Sequence, residues 1–376
     1  MTWGILDKHA HKEAGSVRTS DIHILLCDFA KLPWIPTAVV AAYNMLGTMQ
    51  RDSHRPVRLR ETKIEARPGT PLLRPMAALA TRELPAPTSD QAYCDVSALE
   101  CGFIEIPLLW VIDTAEEGDK SVLPVLAFLI RHSTNGDVLL FDLGVRKDME
   151  NLPTMYHGRI NGMGFLTTVP EDAVDALAKG GLAPTDVTTV CYSHLHYDHI
   201  GDSRPYTNAT FVVGAAARPL VEHGWPEDPK SLFPQDLLPE GRTRFLDNPG
   251  MWPPLGPFPH ALDVYGDGSL YIVDAPGHML GHINLLARTS ADGGWIFLAG
   301  DSAHDRRLLT GEAGIPNHGL LGCAHGDKVA TAEHIVRMRA LEVEYPRVRV
   351  LLAHDVPWYD ANKGGLAFWP GTIPSL

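Results

Sequence analysis

The chain has 376 residues, 45% of them apolar and 20% charged, enough to bury a sizeable core and too apolar for wholesale disorder. Lys plus Arg is 32 against 45 Asp plus Glu, a net charge of −13, which argues against DNA or RNA as a partner. Eighteen His is a high count for this length and is the first hint of metal chemistry.

Residues 1–20 are polar, the next thirty mix an apolar stretch with Pro33 and Pro36, and from Arg51 to Pro87 the chain is rich in Arg, Pro and Thr. Residues 1–95 therefore read as an N-terminal extension that wraps the main body or covers its site, because their apolar content is thin for an independent core. A catalytic domain over 96–376 follows. The N-terminus lacks a basic stretch followed by an apolar one, and no apolar run is long enough to span a bilayer. A cytoplasmic protein without a membrane partner is expected. Five scattered Cys form no CxxC pair and fit a reducing compartment, with a Cys94–Cys101 pairing left open.

From Cys101 the pattern becomes strand-rich. Strands are predicted at Phe103–Ile112, Leu123–Arg131 and Val138–Phe141, the last running into Asp142 and Gly144. A helix follows at Glu171–Lys179, where Ala173, Val174 and Leu177 share a face, then an apolar strand at Val187–Tyr192. Thr210–Val213 reads as a strand and Ala215–Glu222 as a helix. Residues 224–258, rich in Pro, Gly and Trp, read as a long excursion of the kind that often serves as a lid. Further strands are predicted at Leu262–Tyr265, Leu270–Asp274, Ile283–Ala287, Trp295–Ala299 and Arg347–Leu352, with a helix at Asp327–Leu341 before the last. The alternation implies an α/β fold, two mixed sheets with helices outside, in a four-layer αββα sandwich.

The strongest chemical signal is Ser193-His194-Leu195-His196-Tyr197-Asp198-His199, directly after the apolar strand. On an extended segment, residues two apart point to the same side, so His194 and His196 face one point. Asp198 and His199 follow in a turn or helix start. Four donor side chains so close together at the end of a buried strand are hard to explain by packing.

His194-x-His196-x-Asp198-His199 resembles the HxHxDH signature of the metallo-β-lactamase superfamily. The resemblance implies further ligands downstream. Pro276-Gly277-His278-Met279-Leu280-Gly281-His282 is similar to the family's PGHxxGH segment, Leu298-Ala299-Gly300-Asp301 to the segment carrying the bridging carboxylate, and Leu351-Leu352-Ala353-His354-Asp355 to the final histidine segment. It thus implies one metal held by His194, His196 and His278, another by Asp198, His199 and His354, and Asp301 shared. Nitrogen and oxygen donors alone suit Zn²⁺, two per chain, and also accept Mn, Fe or Co. Water on such a metal has a pKa of about 7, so a metal-bridging hydroxide is available to attack a carbonyl carbon. His282 and Asp142 are expected to support the ligands rather than join them. Asp198 and Asp301 are expected to serve the reaction as well as the metals. His304, where lactonases of this family often carry a substrate-binding Tyr, is the candidate hydrogen-bond or proton donor. The role of Tyr197 stays open. His318, His325 and His334 lack ligand spacing and read as ordinary, as does Cys191 in the core. Met163, Phe165, Trp252 and Trp358 are candidates either for an apolar pocket or for plain packing.

Within the family, the flavin-linked branch needs a flavodoxin-like domain for which no room is expected after residue 360. The nucleic-acid-processing branch favours basic surfaces, and the glyoxalase type a C-terminal helical domain. The lactonase-like branch, related to N-acyl homoserine lactonases, fits best around Leu139–Asp148 and Ala353–Asp355. It implies a dinuclear metal hydrolase, monomer or homodimer, that opens a cyclic ester or cyclic amide of a small, fairly apolar molecule. Thioester or phosphotriester hydrolysis and iron-dependent persulfide dioxygenation remain as alternatives. A non-enzymatic scaffold is disfavoured, because the ligand set is complete.

Overall fold

A long antiparallel pair sets the frame. In the computed structural model, which describes residues 82–317 and 323–376, β1 (Cys94–Pro107) pairs with β2 (Lys120–His132) across a bulge near Glu100 and Phe103. Side chains of a strand point alternately to its two faces. Leu126, Phe128 and Ile130 accordingly enter one core, while Ala127 and Leu129 enter another. The first sheet continues through β3 (Val138–Phe141), β4 (Leu166–Thr168), β5 (Thr189–Cys191), β6 (Thr210–Gly214) and β7 (Thr243–Leu246), in the order β4-β1-β2-β3-β5-β6-β7. Strands β3, β5, β6 and β7 run parallel.

The second sheet has the order β12-β11-β10-β9-β8. It is built from β8 (Ala261–Asp263), β9 (Leu270–Asp274), β10 (Ile283–Arg288), β11 (Trp295–Leu298) and β12 (Val348–Leu351). Among the described residues only β11 and β12 pair in parallel there. The sheets share a core of Phe128, Ile130 and Phe141 against Ile272, Leu285 and Leu298.

Helices cover the outer faces. They are α1 (Thr154–Gly162), α2 (Ala173–Ala178), α3 (Tyr197–Ile200), α4 (Arg218–Val221), α5 (Arg306–Thr310), α6 (Lys328–Glu344) and α7 (Val356–Asn362). Ala173, Ala176 and Leu177 of α2 seal the outer face of the first sheet, and Ile335, Met338 and Leu341 of α6 that of the second. This is the expected αββα sandwich. Among the described residues no helix is long and apolar enough to cross a membrane.

Several expectations change. β1 starts at Cys94 rather than Phe103, because Cys94, Val96 and Ala98 already point into the core between the sheets. Cys94 and Cys101 are free buried thiols, not a disulfide. Residues 224–258 carry β7 and a 3₁₀ turn at Pro249–Met251, and they send Phe233, Leu237, Leu255 and Phe258 into the cores. Trp252 and Trp358 pack against the core between the sheets, and Phe165 against Trp110. Residues 1–81 and His318 lie outside the described residues. Of the expected extension, the part seen runs along the second sheet. Leu84 packs on its core, Pro85 O accepts from Arg288 at 2.6 Å, and Gln91 donates to Asp267 O at 2.9 Å.

Candidate metal centre

The strand directions gather the donors. β9 and β11 are both antiparallel to β10, and β12 is parallel to β11. The chain therefore leaves β9, β11 and β12 at one rim, where His278, Asp301 and His354 follow. β3 and β5 are parallel and deliver Asp142 and the segment Ser193–His199 to the same place. Backbone hydrogen bonds join the rims of the two sheets there, from Ile283 N to Ser193 O at 2.9 Å and from Leu126 N to Ala353 O at 3.0 Å.

The donors form two adjoining groups. In the first, His194 Nε2, His196 Nδ1 and His278 Nε2 stand 2.9–3.1 Å apart. Asp301 Oδ2 lies 3.5 Å from His278 Nε2 and 3.7 Å from His194 Nε2. In the second, His199 Nε2 and His354 Nε2 lie 3.3 and 3.4 Å from Asp301 Oδ1, and Asp198 Oδ2 is 3.7 and 3.4 Å from them. All seven residues predicted as ligands thus converge, and Asp301 turns one oxygen to each group.

This arrangement fits cations. A neutral imidazole has one N–H, so three nitrogens facing one point cannot satisfy one another. Among the described residues, His199 Nε2 and Asp301 Oδ1 are buried with no hydrogen-bond partner. Ligand atoms placed tetrahedrally around an ion with bonds of about 2.0–2.1 Å stand about 3.3 Å apart, close to the spacings found.

The ring orientations agree. His354 Nδ1 donates to Pro124 O at 2.8 Å and His199 Nδ1 to Asp142 Oδ2 at 2.8 Å, which aims both Nε2 atoms at the centre, where a cation would displace their proton. Burial holds His194 and His278 well below the usual imidazole range and brings His196 down to about 4. The carboxylate-rich group behaves oppositely. Burial disfavours the charged forms there, but Asp301 and its neighbours outweigh it, raising His199 far and His354 to about 10.

The supporting residues are buried as well. Asp142 accepts from Ser193 N at 2.6 Å and from Ser193 Oγ at 2.7 Å. His282 Nε2 accepts from Asp301 N at 3.1 Å, a structural contact as expected. His304 is buried with its Nε2 3.1 Å from Asp301 Oδ2. Tyr197 hydroxyl meets Thr167 Oγ1 at 3.0 Å.

Sequence reasoning missed three features. Asn284 Nδ2 donates to Ala299 O at 2.7 Å and to Ser302 Oγ at 3.1 Å, while His334 Nε2 donates to Asn284 Oδ1 at 2.7 Å. This network props the turn that carries Asp301. Its signal was a lone amide inside the apolar strand Ile283–Arg288. Ser193 was read only as part of the signature. His325, read as ordinary, is buried with its ring 5.2 Å from His278 and 4.8 Å from His304.

The His278 loop rests on the start of α6. Asp327 N donates to Gly277 O at 2.7 Å and Gly326 N to His278 O at 3.0 Å. A Cβ on Gly277, whose φ is +139°, would meet Thr331 N at 2.6 Å and Thr331 Oγ1 at 2.4 Å. Gly277→Ala is therefore expected to cost about 2–4 kcal/mol and to weaken metal binding at the first group before the second. Denaturant unfolding with metal titration checks this. Unchanged stability would show that α6 gives way freely.

A cavity of about 410 Å³ lies elsewhere, lined by residues that include Arg146, Gly201, Ser203, Trp225, Gln235 and Leu237, and none of the seven donors lines it. The converging His and Asp groups, not this cavity, mark the chemistry.

Gamma-lactamase FDB1 of Fusarium pseudograminearum is 34% identical over 209 residues, covering 54% of this chain and 49% of that protein. Gamma-lactamase MBL2 of Gibberella moniliformis is 38% identical over 172 residues, covering 44% of this chain and 70% of that one. The chain thus matches only about half the length of FDB1. The solved structure of a mutant of B. thuringiensis AiiA with N-decanoyl-L-homoserine bound at its active site superposes with a TM-score of 0.57 at 19% identity. That match covers 75% of this chain and 99% of that one, and it supports the fold. The metallo-beta-lactamase superfamily model matches residues 121–343, more than half the chain and six of the seven converging donors, and the chain belongs to that superfamily.

Proposed function

We propose that this chain is a dinuclear metal hydrolase that opens a cyclic amide or cyclic ester in a small molecule. The observation that carries the reading is Asp301, buried between two donor groups with one oxygen directed to each. Zn²⁺ is the favoured occupant of both, since the donors are imidazole nitrogens and carboxylate oxygens in near-tetrahedral spacing, with Mn, Fe or Co also accepted. His194, His196 and His278 would hold one ion, Asp198, His199 and His354 the other, and Asp301 both. Bound there, the cations would supply a nucleophilic water at neutral pH and polarise the scissile carbonyl.

The chain's own groups do the rest. Asp301 and Asp198 accept and orient the water's protons. The water oxygen joins the carbonyl carbon, the ring C–N or C–O bond breaks, and the departing heteroatom takes a proton. The product is an amino acid or hydroxy acid. His304 donates its Nε2–H to Asp301 Oδ2 at 3.1 Å, and it serves the carbonyl oxygen or the departing atom when that N–H turns from the carboxylate to the substrate. The names of FDB1 and MBL2 favour a cyclic amide within this class.

The test joins metal analysis to a substrate panel of lactams, lactones, thioesters and phosphotriesters. Two ions per chain are expected, with turnover of a lactam or lactone that chelation abolishes and Zn²⁺ restores. Activity on thioesters or phosphotriesters alone, or iron with persulfide oxidation, would sink the reading.

A further inference from the structure

We propose that His325 is a positioning residue, which braces His278 and the His304–Asp301 pair through one buried water shared by the three imidazoles. The proposal rests on the metal part of the reading above, not on the reaction, and it adds a residue outside the seven donors.

The observation is a cluster of buried ring nitrogens without partners. His325 is 4% exposed. Among the described residues, neither of its ring nitrogens has a hydrogen-bond partner, and the Nδ1 atoms of His278 and His304 are buried and unpartnered as well. Leaving such atoms unpaired is costly. The three rings stand together. The His325 centroid lies 5.2 Å from that of His278 and 4.8 Å from that of His304, and those two are 4.8 Å apart. One ring nitrogen of each residue lies within 4.8 Å of those of the other two. The backbone under His325 is pinned, so the ring is held in place. His325 N donates to Cys323 Sγ at 3.2 Å, Ala324 N to Trp110 O at 3.2 Å and Gly326 N to His278 O at 3.0 Å.

The protons on these rings call for a bridging group that both accepts and donates. His278 turns Nε2 to the first donor group, 3.1 Å from His194 Nε2 and 2.9 Å from His196 Nδ1. With a cation on Nε2, its single proton sits on Nδ1, which must donate. His304 gives its one N–H to Asp301 Oδ2 at 3.1 Å, so its Nδ1 must accept. A water accepts from the first and donates to the second. His325 supplies a third bond in either sense, and about three bonds is the usual number for a buried water. Two nitrogens bonded to one water oxygen at tetrahedral angle and about 2.8 Å stand about 4.6 Å apart, which matches the spacing of the cluster. A further cation suits the place less well, because His278 could bind it through Nδ1 only as a ring stripped of both protons.

The brace acts on both sides of the centre. Through the water, the His278 Nδ1–H gains the acceptor that fixes the ring and raises the basicity of Nε2. His199 has Asp142 for this purpose, and His354 has Pro124 O. Through the same water, the His304 proton is kept on Nε2, facing Asp301.

The experiment compares the metal-loaded full chain with His325→Phe, which removes both nitrogens, and with His325→Gln, which returns a donor and an acceptor. Crystal structures, ring ¹⁵N spectra, stepwise Zn²⁺ titration and urea unfolding of the metal-free proteins are the readouts. In the unaltered protein one ordered water is expected about 2.7–3.2 Å from a nitrogen of each ring, with His304 as the Nε2–H tautomer. In His325→Phe the group of His194, His196 and His278 should bind Zn²⁺ about 10- to 100-fold more weakly, and the urea midpoint should fall. His325→Gln should recover part of both. A ring that merely lies buried and unpaired predicts the opposite sign, since Phe would then raise the midpoint and leave the affinity unchanged. That result overturns the proposal, as does a third metal ion between the rings or the Nδ1–H tautomer at His304. If the unaltered protein binds no metal, the metal reading falls, and the water, the His304 tautomer and the midpoints decide the brace on metal-free protein. Should His325→Phe fail to fold, the water and the tautomer in the unaltered protein decide, and the absence of either overturns the proposal.

Discussion

Asp301→Asn is expected to reduce the metal content from two ions per chain to one and to lower kcat/KM by about 10³-fold or more. The side chain is 2% exposed. Its Oδ1 faces His199 and His354 at 3.3 and 3.4 Å, and its Oδ2 faces His278 and His194 at 3.5 and 3.7 Å. Asn is nearly the same shape but keeps one acceptor and replaces the other with an NH₂ donor. Whichever way the amide turns, one donor group loses its carboxylate oxygen and meets N–H hydrogens instead. The fold should survive. The turn is held through its backbone by Asp301 N to His282 Nε2 at 3.1 Å, by Ala353 N to Gly300 O at 3.1 Å, and by Asn284 to Ala299 O at 2.7 Å. Metal analysis, circular dichroism and steady-state kinetics on one preparation check all three parts. A variant with two ions and full turnover would remove Asp301 from the centre.

Four of the seven converging donors, His194, His196, Asp198 and His199, were legible in the sequence for a physical reason, whereas His278, Asp301 and His354 followed from the resemblance to the family's later segments. Metal ligation demands particular side chains at the ends of strands, and nothing else in a core asks for His194, His196, Asp198 and His199 in one short segment. Strands such as Val138–Phe141 and Leu270–Asp274 were legible to the residue, since continuous apolar runs bounded by Asp or Gly mark buried strands. Other boundaries slipped because both faces of a sandwich strand are buried, which blurs the alternation that fixes an end. α1 (Thr154–Gly162) was missed. It begins after Pro153 without a side-chain cap, and Tyr156 and Ile160 are its only buried residues, too few to trace an apolar stripe. His325 and Asn284 were illegible as neighbours of the centre for a different reason. Each reaches the centre through contacts between distant segments, and neither has a partner at ligand spacing along the chain.

Asp142 shows how a support can matter as much as a ligand. Asp142→Asn is expected to destabilise the protein by about 2–4 kcal/mol and to weaken metal binding at the second group about 10- to 100-fold, with the first group little changed. The backbone contributes almost nothing to this loss. Asp142 has φ +64°, a left-handed conformation that Asn adopts as readily as Asp. The loss is in the carboxylate. Its two oxygens accept from Ser193 N at 2.6 Å, Ser193 Oγ at 2.7 Å and His199 Nδ1 at 2.8 Å, all buried. An amide supplies one oxygen for these donors and turns an NH₂ toward the remainder. At the oxygen serving Ser193 N, the strand end that launches the His194–His199 segment would shift. At the oxygen serving Ser193 Oγ and His199, the imidazole would lose the acceptor that fixes its proton on Nδ1 and leaves Nε2 free for a cation. Either orientation damages the same element, because β3 and β5 are neighbours and Asp142 ties the exit of one to the exit of the other. Urea unfolding of the metal-free protein isolates the stability loss, and stepwise metal titration separates the two affinities. Equal midpoints with two undiminished affinities would show that the His194–His199 segment holds its shape without this brace.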